Sequence, residues 1–324
     1  MNKRKKLEKS KSLPKVLVMM ATYNGEKYVA QQIESILQQE KVEVYLQISD
    51  DGSSDKTPEI CKSYSSCYSN VSFSVNKKNE GVANNFMNMA YAAPTEQFDY
   101  FAFSDQDDYW LPNKLYEAVR CLKLDSECNM PALYYSDVLN VDEKLRNPEP
   151  EYYTFSALSN SLKTLLICNY ASGCTMVFNW QLSDLLKKHP VQSFPRIHDS
   201  WVHLVAMTCG KTYSDLGRSF IYRRITDNNQ VGKRELGSLA FKRIISLIRG
   251  LKIESKNELT ETALILLKSF SDELNKSDFS ILQQFTQQRK SIVGRFKIAM
   301  DRNYRLPSRS ETIIVKLRIL LGRA

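Results

Sequence analysis

Three carboxylates fall within four consecutive residues of Ser104-Asp105-Gln106-Asp107-Asp108, directly after the apolar run Phe98–Phe103. Carboxylates this close repel one another unless a cation neutralises them, and hard cations such as Mg2+ or Mn2+ prefer oxygen ligands. A cation held by one or two carboxylates completes its shell with water and substrate phosphates, so Asp105 and Asp107 suggest a metal clamping a diphosphate. A solvated acidic loop or helix cap would read the same way, and Asp-x-Asp alone is a weak motif. A second acidic group, Asp50-Asp51-Gly52-Ser53-Ser54-Asp55, also ends an apolar run. There Asp51 suits a hydrogen bond from a ribose or base, while Asp55 suits capping the helix that follows. Thr22-Tyr23-Asn24 closes the first run, and Asn79-Glu80-Gly81 opens a helix. Gly81 either lets backbone N–H groups approach an anion or simply makes a turn.

The elements that must position these groups alternate regularly. Lys15–Ala21, Val42–Ser49, Val71–Val75 and Phe98–Ser104 have the length and apolarity of buried strands. Helical spacing runs between them, over Glu26–Gln39, after Asp55 with Pro58 in the first turn, and over Gly81–Ala92. Such alternation predicts an α/β fold with a mostly parallel sheet and helices on both faces, its ligands gathered beyond the carboxyl ends of the strands. Further on, helices are expected at Pro112–Leu124, up to Lys188 and over His198–Thr208. Strands are expected at Ala132–Ser136, Cys174–Phe178 and Arg218–Arg224. After residue 233 only amphipathic helices follow, at 237–250, 257–275, 278–299 and 310–321.

The 324-residue chain has a net charge of +9, unevenly spread. Residues 1–15 hold seven bases and one acid, residues 16–232 hold 19 and 26, and residues 233–324 hold 19 and 9. An acidic middle argues against a basic nucleic-acid groove, so no nucleic-acid partner is expected. The seven cysteines form no CxxC pair and read as reduced thiols of a cytoplasmic protein. No apolar stretch reaches the length of a transmembrane helix, and the basic N-terminus lacks the apolar core of a signal peptide.

Together these segments resemble the family 2 glycosyltransferases, nucleotide-sugar enzymes of GT-A fold. The resemblance rests on Ala21–Gly25, Asp50–Asp55, Asn79–Phe86 and Ser104–Leu115. It extends over residues 15–232, between a basic tail (1–14) and a basic helical C-terminal extension (233–324). Its last stretch is most similar to the rhamnosyltransferase-like branch of bacterial polysaccharide biosynthesis. It implies inverting transfer of a sugar, rhamnose among the candidates, from a UDP- or dTDP-linked donor to a hydroxyl of a glycan or lipid-linked acceptor, with Mg2+ or Mn2+. By the same resemblance Thr22, Tyr23, Asn24, Asn79 and Gly81 line the nucleotide site. Asp51 meets the base, Asp105 faces the ribose or donor sugar, and Asp107 binds the metal. Gly173 and Cys174 match the acceptor-side segment. His198-Asp199-Ser200-Trp201 matches the segment carrying the catalytic base, which makes Asp199 the base and His198 and Trp201 its neighbours. Relatives often follow their Tyr-Arg with a histidine; here Tyr222-Arg223-Arg224 is followed by Asn and Gly without one. Arg223 or Arg224 would then serve the diphosphate through the guanidinium fork.

Two rival readings are a nucleotidyltransferase making nucleotide sugars and a non-catalytic nucleotide-binding protein. The first needs a Gly-rich basic loop after the first strand, whereas Thr22–Lys27 offers only Gly25 and Lys27. The basic helices either pack on the domain or adsorb to an anionic membrane surface, on the inner face of the cell membrane. Residues 241–252 are the first interfacial candidate and Leu317–Arg323 the second.

Overall fold

The computed structural model describes residues 12–123, 129–151, 161–191, 197–225, 258–306 and 308–324. Its first half is the expected alternation. Strands β1 (Lys15–Thr22), β2 (Glu43–Asp50), β3 (Val71–Val75) and β4 (Tyr100–Ser104) are joined by helices α1 (Val29–Leu37), α2 (Thr57–Cys67) and α3 (Val82–Ala92). They lie in the order β3-β2-β1-β4, all parallel. Thr22 is in register with Asp50, and Met20 with Ser104, so the loops after β1, β2 and β4 emerge side by side. Both faces of β1 are covered. Leu17 and Met19 enter one core with Phe86 and Phe103, and Val16, Val18 and Met20 enter the other with Ile33 and Trp110. That is why the strand reads as an unbroken apolar run.

Past β4 the sheet turns antiparallel. After β5 (Tyr109–Trp110), α4 (Lys114–Lys123), β6 (Ala132–Val141), β7 (Glu149–Glu151) and α5 (Leu162–Ile167), strand β8 (Val177–Asn179) pairs antiparallel with β4 and β6. Helices α6 (Trp180–Lys188) and α7 (His198–Cys209) precede β9 (Lys211–Arg224), which runs parallel to β6. The two-residue β5 clips onto β9, with Tyr109 opposite Tyr222. This pairing sets Arg223 and Arg224 beside the acidic loop that precedes β5. The expected strand over Cys174–Phe178 begins instead as a single 3-10 turn, Gly173–Thr175. The Thr175 hydroxyl donates to Ser172 O at 2.8 Å and holds that turn.

Four helices end the chain: α8 (Glu258–Ser269), α9 (Lys276–Gln287), α10 (Ile292–Met300) and α11 (Arg309–Leu320). The helix expected over 278–299 is broken near Gln288–Lys290, and Ser291 restarts it by accepting the N–H of Gly294 at 2.9 Å. Leu266 and Phe270 enter the same core as Phe86 and Trp201, so these helices pack directly on the sheet's helical layer. Lys163 of α5 ties down Asp301 at 2.8 Å. The expected helix at 237–250 and interfacial segment at 241–252 lie outside the described residues. No helix among the described residues is long and apolar enough to cross a membrane.

Candidate active site

The three adjacent loops are laced together by side chains. Asp50 accepts the Thr22 hydroxyl at 2.8 Å and the backbone N–H groups of Gly52 and Ser53 at 3.1 and 2.8 Å. Asn24, in the left-handed region at φ 50°, donates its N–H to Ser53 Oγ and accepts from Ser54 N, both at 2.8 Å. Asp55 accepts from Glu26 N at 3.0 Å and Thr57 N at 2.9 Å, so it caps α2 and holds the first loop as well. Burial pushes the Asp55 carboxyl up, but these hydrogen bonds outweigh it and its pKa is lowered.

Asp51 is buried and well supplied with donors. Asn76 Nδ2 and Glu80 N donate to one oxygen at 2.9 and 2.8 Å, and Gly81 N donates to the other at 2.8 Å. Asn79 Nδ2 donates to the Asp51 carbonyl at 3.0 Å. The Gly81 N–H is therefore shared between Asp51 and, at 3.2 Å, the Asn79 side-chain oxygen. At φ 78° and ψ 155° this residue occupies a region essentially reserved for glycine, so the turn reading holds there.

The acidic loop forms the floor. Asp105 has its pKa raised by burial first, then by Asp107 and Asp199, with Arg223 opposing. Asp107 is raised by burial, against its own backbone N–H, Arg224 and Arg223. Asp108 is raised well above the usual carboxylate range by burial, Asp105 and Asp107. One Asp108 oxygen is buried without a hydrogen-bond partner. Asp105, Asp108 and Cys174 offer ligand atoms within 4.8 Å of one another. Unneutralised oxygens packed this closely fit a hard divalent cation; the Cys174 thiol, kept protonated by burial and the nearby carboxylates, fits it less well. Asp107, the ligand expected from the sequence, stands beside this trio rather than in it.

Asp199 lies in the first turn of α7, where its oxygens accept Gly173 N at 3.2 Å and Ser200 N at 2.5 Å. His198 is buried, with its Nε2 against Gly173, the residue that donates to Asp199. Its ring stacks on Phe86 at 4.2 Å, neither nitrogen has a partner, and burial pushes its pKa down to about 3. It is neutral scaffolding for Asp199. Trp201, the other neighbour of Asp199 in the motif, is turned away from an acceptor. It is 2% exposed and faces Phe270 at 6.0 Å, because the apolar face of α7 receives α8.

The family described as Glycosyl transferase family 2 matches residues 17–187. The chain belongs to this family. The dTDP-rhamnosyl transferase RfbG of Shigella flexneri is 31% identical over 233 residues, 69% of this chain and 78% of that protein. The putative glycosyltransferase EpsE of Bacillus subtilis (strain 168) is 38% identical over 111 residues, 34% of this chain and 39% of its own. The solved structure of S. aureus TarS 1-349 in complex with UDP-GlcNAc gives a TM-score of 0.55 at 15% identity, over 95% of this chain and 87% of that one. The fold is thus GT-A, as the sequence implies.

Two residues of this family 2 glycosyltransferase site escape a reading by motif. Gln106 accepts Tyr23 N and donates to Tyr23 O, both at 2.9 Å, and so clamps the acidic loop to the first loop. Tyr23 itself keeps its ring exposed. Lys114 is 1% exposed, its ammonium 3.5 Å from the Trp110 ring centre, and burial lowers its pKa to about 7 while Cys174 and Asp108 oppose. The hint in the sequence was the polar type of each at an otherwise committed position.

Proposed function

We propose that this glycosyltransferase moves a sugar, with inversion, from a nucleoside-diphosphate donor to a hydroxyl of a surface-polysaccharide acceptor. The observation that carries the reading is the convergence of Asp199 with the 105–108 loop. Gly173 N donates to Asp199 at 3.2 Å, and the next residue, Cys174, lies within 4.8 Å of Asp105 and Asp108, although the three segments are far apart in the chain. Rhamnose on dTDP is the first donor to try, by similarity to RfbG, and a lipid-linked glycan the first acceptor.

The acceptor hydroxyl attacks the anomeric carbon and Asp199 takes its proton. The new C–O bond forms as the bond to the diphosphate breaks, and the nucleoside diphosphate leaves. Asp199 is held for this by the N–H groups of Gly173 and Ser200. Thr22, Tyr23 and Asn24 wall the nucleotide. Asp51 fixes the Asn79–Gly81 turn, and its less loaded oxygen remains to accept a pyrimidine N–H. Asp105 faces the donor sugar. Asp105, Asp107 and Asp108 are the groups that would hold Mg2+ or Mn2+, which supplies countercharge to the departing diphosphate. Gly173 and Cys174 border the acceptor side.

Release of nucleoside diphosphate and formation of glycosylated product are measured over a nucleotide-sugar panel, with Mg2+ or Mn2+ and with chelator. Asp199→Asn should leave donor affinity near normal and lower transfer at least ~100-fold. Normal turnover by that variant would remove Asp199 as the base. A panel with no transferred or hydrolysed donor would remove the reading altogether.

A further inference from the structure

Helices α10 and α11 each carry an exposed apolar stripe in addition to the apolar side that packs on the protein. On α10, Ile292 (80% exposed), Val293, Phe296 (57%) and Met300 face solvent, while Ile298 and Ala299 are buried. On α11, Ile313 (58%), Leu317 (51%), Leu320 and Leu321 do so, while Ile319 is buried. At 100° per residue each exposed set fills one continuous arc of its helix. The two helices adjoin: a Cβ on Gly322, just past α11, would lie 2.7 Å from the guanidinium carbon of Arg295 on α10. A soluble surface seldom gathers so many large apolar groups without a partner.

Charge selects the partner. Residues 289–324 hold ten Lys or Arg against two acids, Asp301 and Glu311. Asp301 is already paired with Lys163. An apolar face inside a basic surround is the pattern of a segment lying in a lipid interface, apolar groups among acyl chains and basic groups at anionic headgroups. A second copy laid face to face would oppose one basic surround to another, which is unfavourable. We propose that the outer face of α10 and α11 docks the enzyme on an anionic bilayer. Leu317–Arg323, the second interfacial candidate in the sequence, belongs to this face. The inference is independent of the donor and of the base.

The test uses the full chain with sedimentable vesicles of phosphatidylcholine, with and without phosphatidylglycerol. Binding should require phosphatidylglycerol and weaken with salt. Phe296→Glu and Leu317→Glu, both at exposed positions, should each weaken it by at least ~10-fold and together by ~100-fold, with unchanged melting temperature and unchanged donor hydrolysis. No binding to phosphatidylglycerol vesicles, or wild-type binding by both variants, overturns the proposal. So does a wild-type dimer in analytical ultracentrifugation that either glutamate converts to monomer without any vesicle binding. A failed donor panel alongside intact vesicle binding would sink the catalytic reading and leave this one standing.

Discussion

Replacing Asp51 by Asn tests how the nucleotide side of the site is built. The carboxylate takes three donors, two of them backbone N–H groups of Glu80 and Gly81, at 2.8 Å each. A carboxamide has one acceptor oxygen and turns an NH2 group towards the other side. At least one backbone N–H must then face a donor, and the remaining bonds lose their charge assistance. A hydrogen bond to a charged group contributes about 1.5–3 kcal/mol and one to a neutral group about 0.5–1.5 kcal/mol, so each of the three bonds to Asp51 loses about 1 kcal/mol. With partial relaxation, Asp51→Asn should destabilise the protein by about 2–4 kcal/mol. Because the C-terminal helices share the core, the whole chain unfolds together, and at about 1.5 °C per kcal/mol for a protein of this size the melting temperature should drop by about 3–6 °C.

The decisive measurement is made without donor. Thermal and urea unfolding of wild type and Asp51→Asn are compared first, and donor affinity by calorimetry second. Because Asp51 anchors the Asn79–Gly81 turn in the free protein, the stability loss should be present before any nucleotide is added. An unchanged melting temperature with a large loss of donor affinity would refute this reasoning. It would mean that Asp51 acts on the nucleotide alone and that the turn is held by other means.

Gly25→Ala would place a Cβ 2.1 Å from Gln106 Oε1 and break the Gln106–Tyr23 clamp. Transfer should fall about 10–100-fold, and Gly25→Ala/Gln106→Ala should be no worse than Gln106→Ala alone; a strictly additive double variant would contradict the clash. Gly173→Ala would bring a Cβ within 2.8 Å of His198 Nε2 and 3.4 Å of Asp199 Cβ, and His198 is stacked too closely on Phe86 to retreat. Turnover should therefore fall more than donor affinity, whereas an equal loss of both would argue against a local shift of Asp199. Lys163→Met removes the 2.8 Å pair to Asp301, worth about 1 kcal/mol. Burial raises the Asp301 pKa, but the bonds from Lys163 and Asn303 outweigh it and leave it below 3.8. The pair's contribution should be complete above that pH and vanish as pH falls through the lowered value, so the urea midpoints of wild type and variant should converge only in strong acid.

The first half of the fold was legible because β1 and β4 are covered on both faces and read as apolar runs, while β2 and the edge strand β3 alternate apolar and polar residues. Polar turn residues follow the carboxyl end of each. The acidic loop was legible as a candidate because it follows a fully buried strand, and it took the other motifs in order to separate it from a solvated loop or helix cap. What stayed hidden lacked a period to detect. Strand β5 is two residues long, and the turn at Gly173–Thr175 interrupts an apolar stretch that reads as plain strand. Trp201 and His198 share a motif with Asp199, yet a helix sends neighbours about 100° apart, so only Asp199 meets the acidic loop while Trp201 meets α8. The roles of Gln106 and Lys114 depend on partners brought in by the sheet, Tyr23 by way of β1 and Cys174 by way of β8.

The absence of a histidine after Tyr222-Arg223-Arg224 is best understood through the separate surroundings of the two arginines. Arg224 is 1% exposed and serves backbone: its Nη1 donates to the carbonyls of Asp107 and Asp108 at 2.6 and 3.0 Å, and its Nε to Glu143 O at 3.3 Å. Its remaining nitrogen is bonded to Gln31, and its guanidinium lies 4.7 Å from the Tyr28 ring centre. Drawing Arg224 towards a diphosphate would strip the acidic loop of the donors that fix its path. Arg223 is differently placed: its Nε donates to Asn140 at 3.0 Å, and its charge lowers the pKa of Asp105, Asp107 and Asp108 alike. Its charge thus faces the same three carboxylates that would hold a divalent cation. Under the reading proposed above, Arg223 rather than Arg224 would face the leaving diphosphate, because Arg224 is spent on the carbonyls that fix the acidic loop.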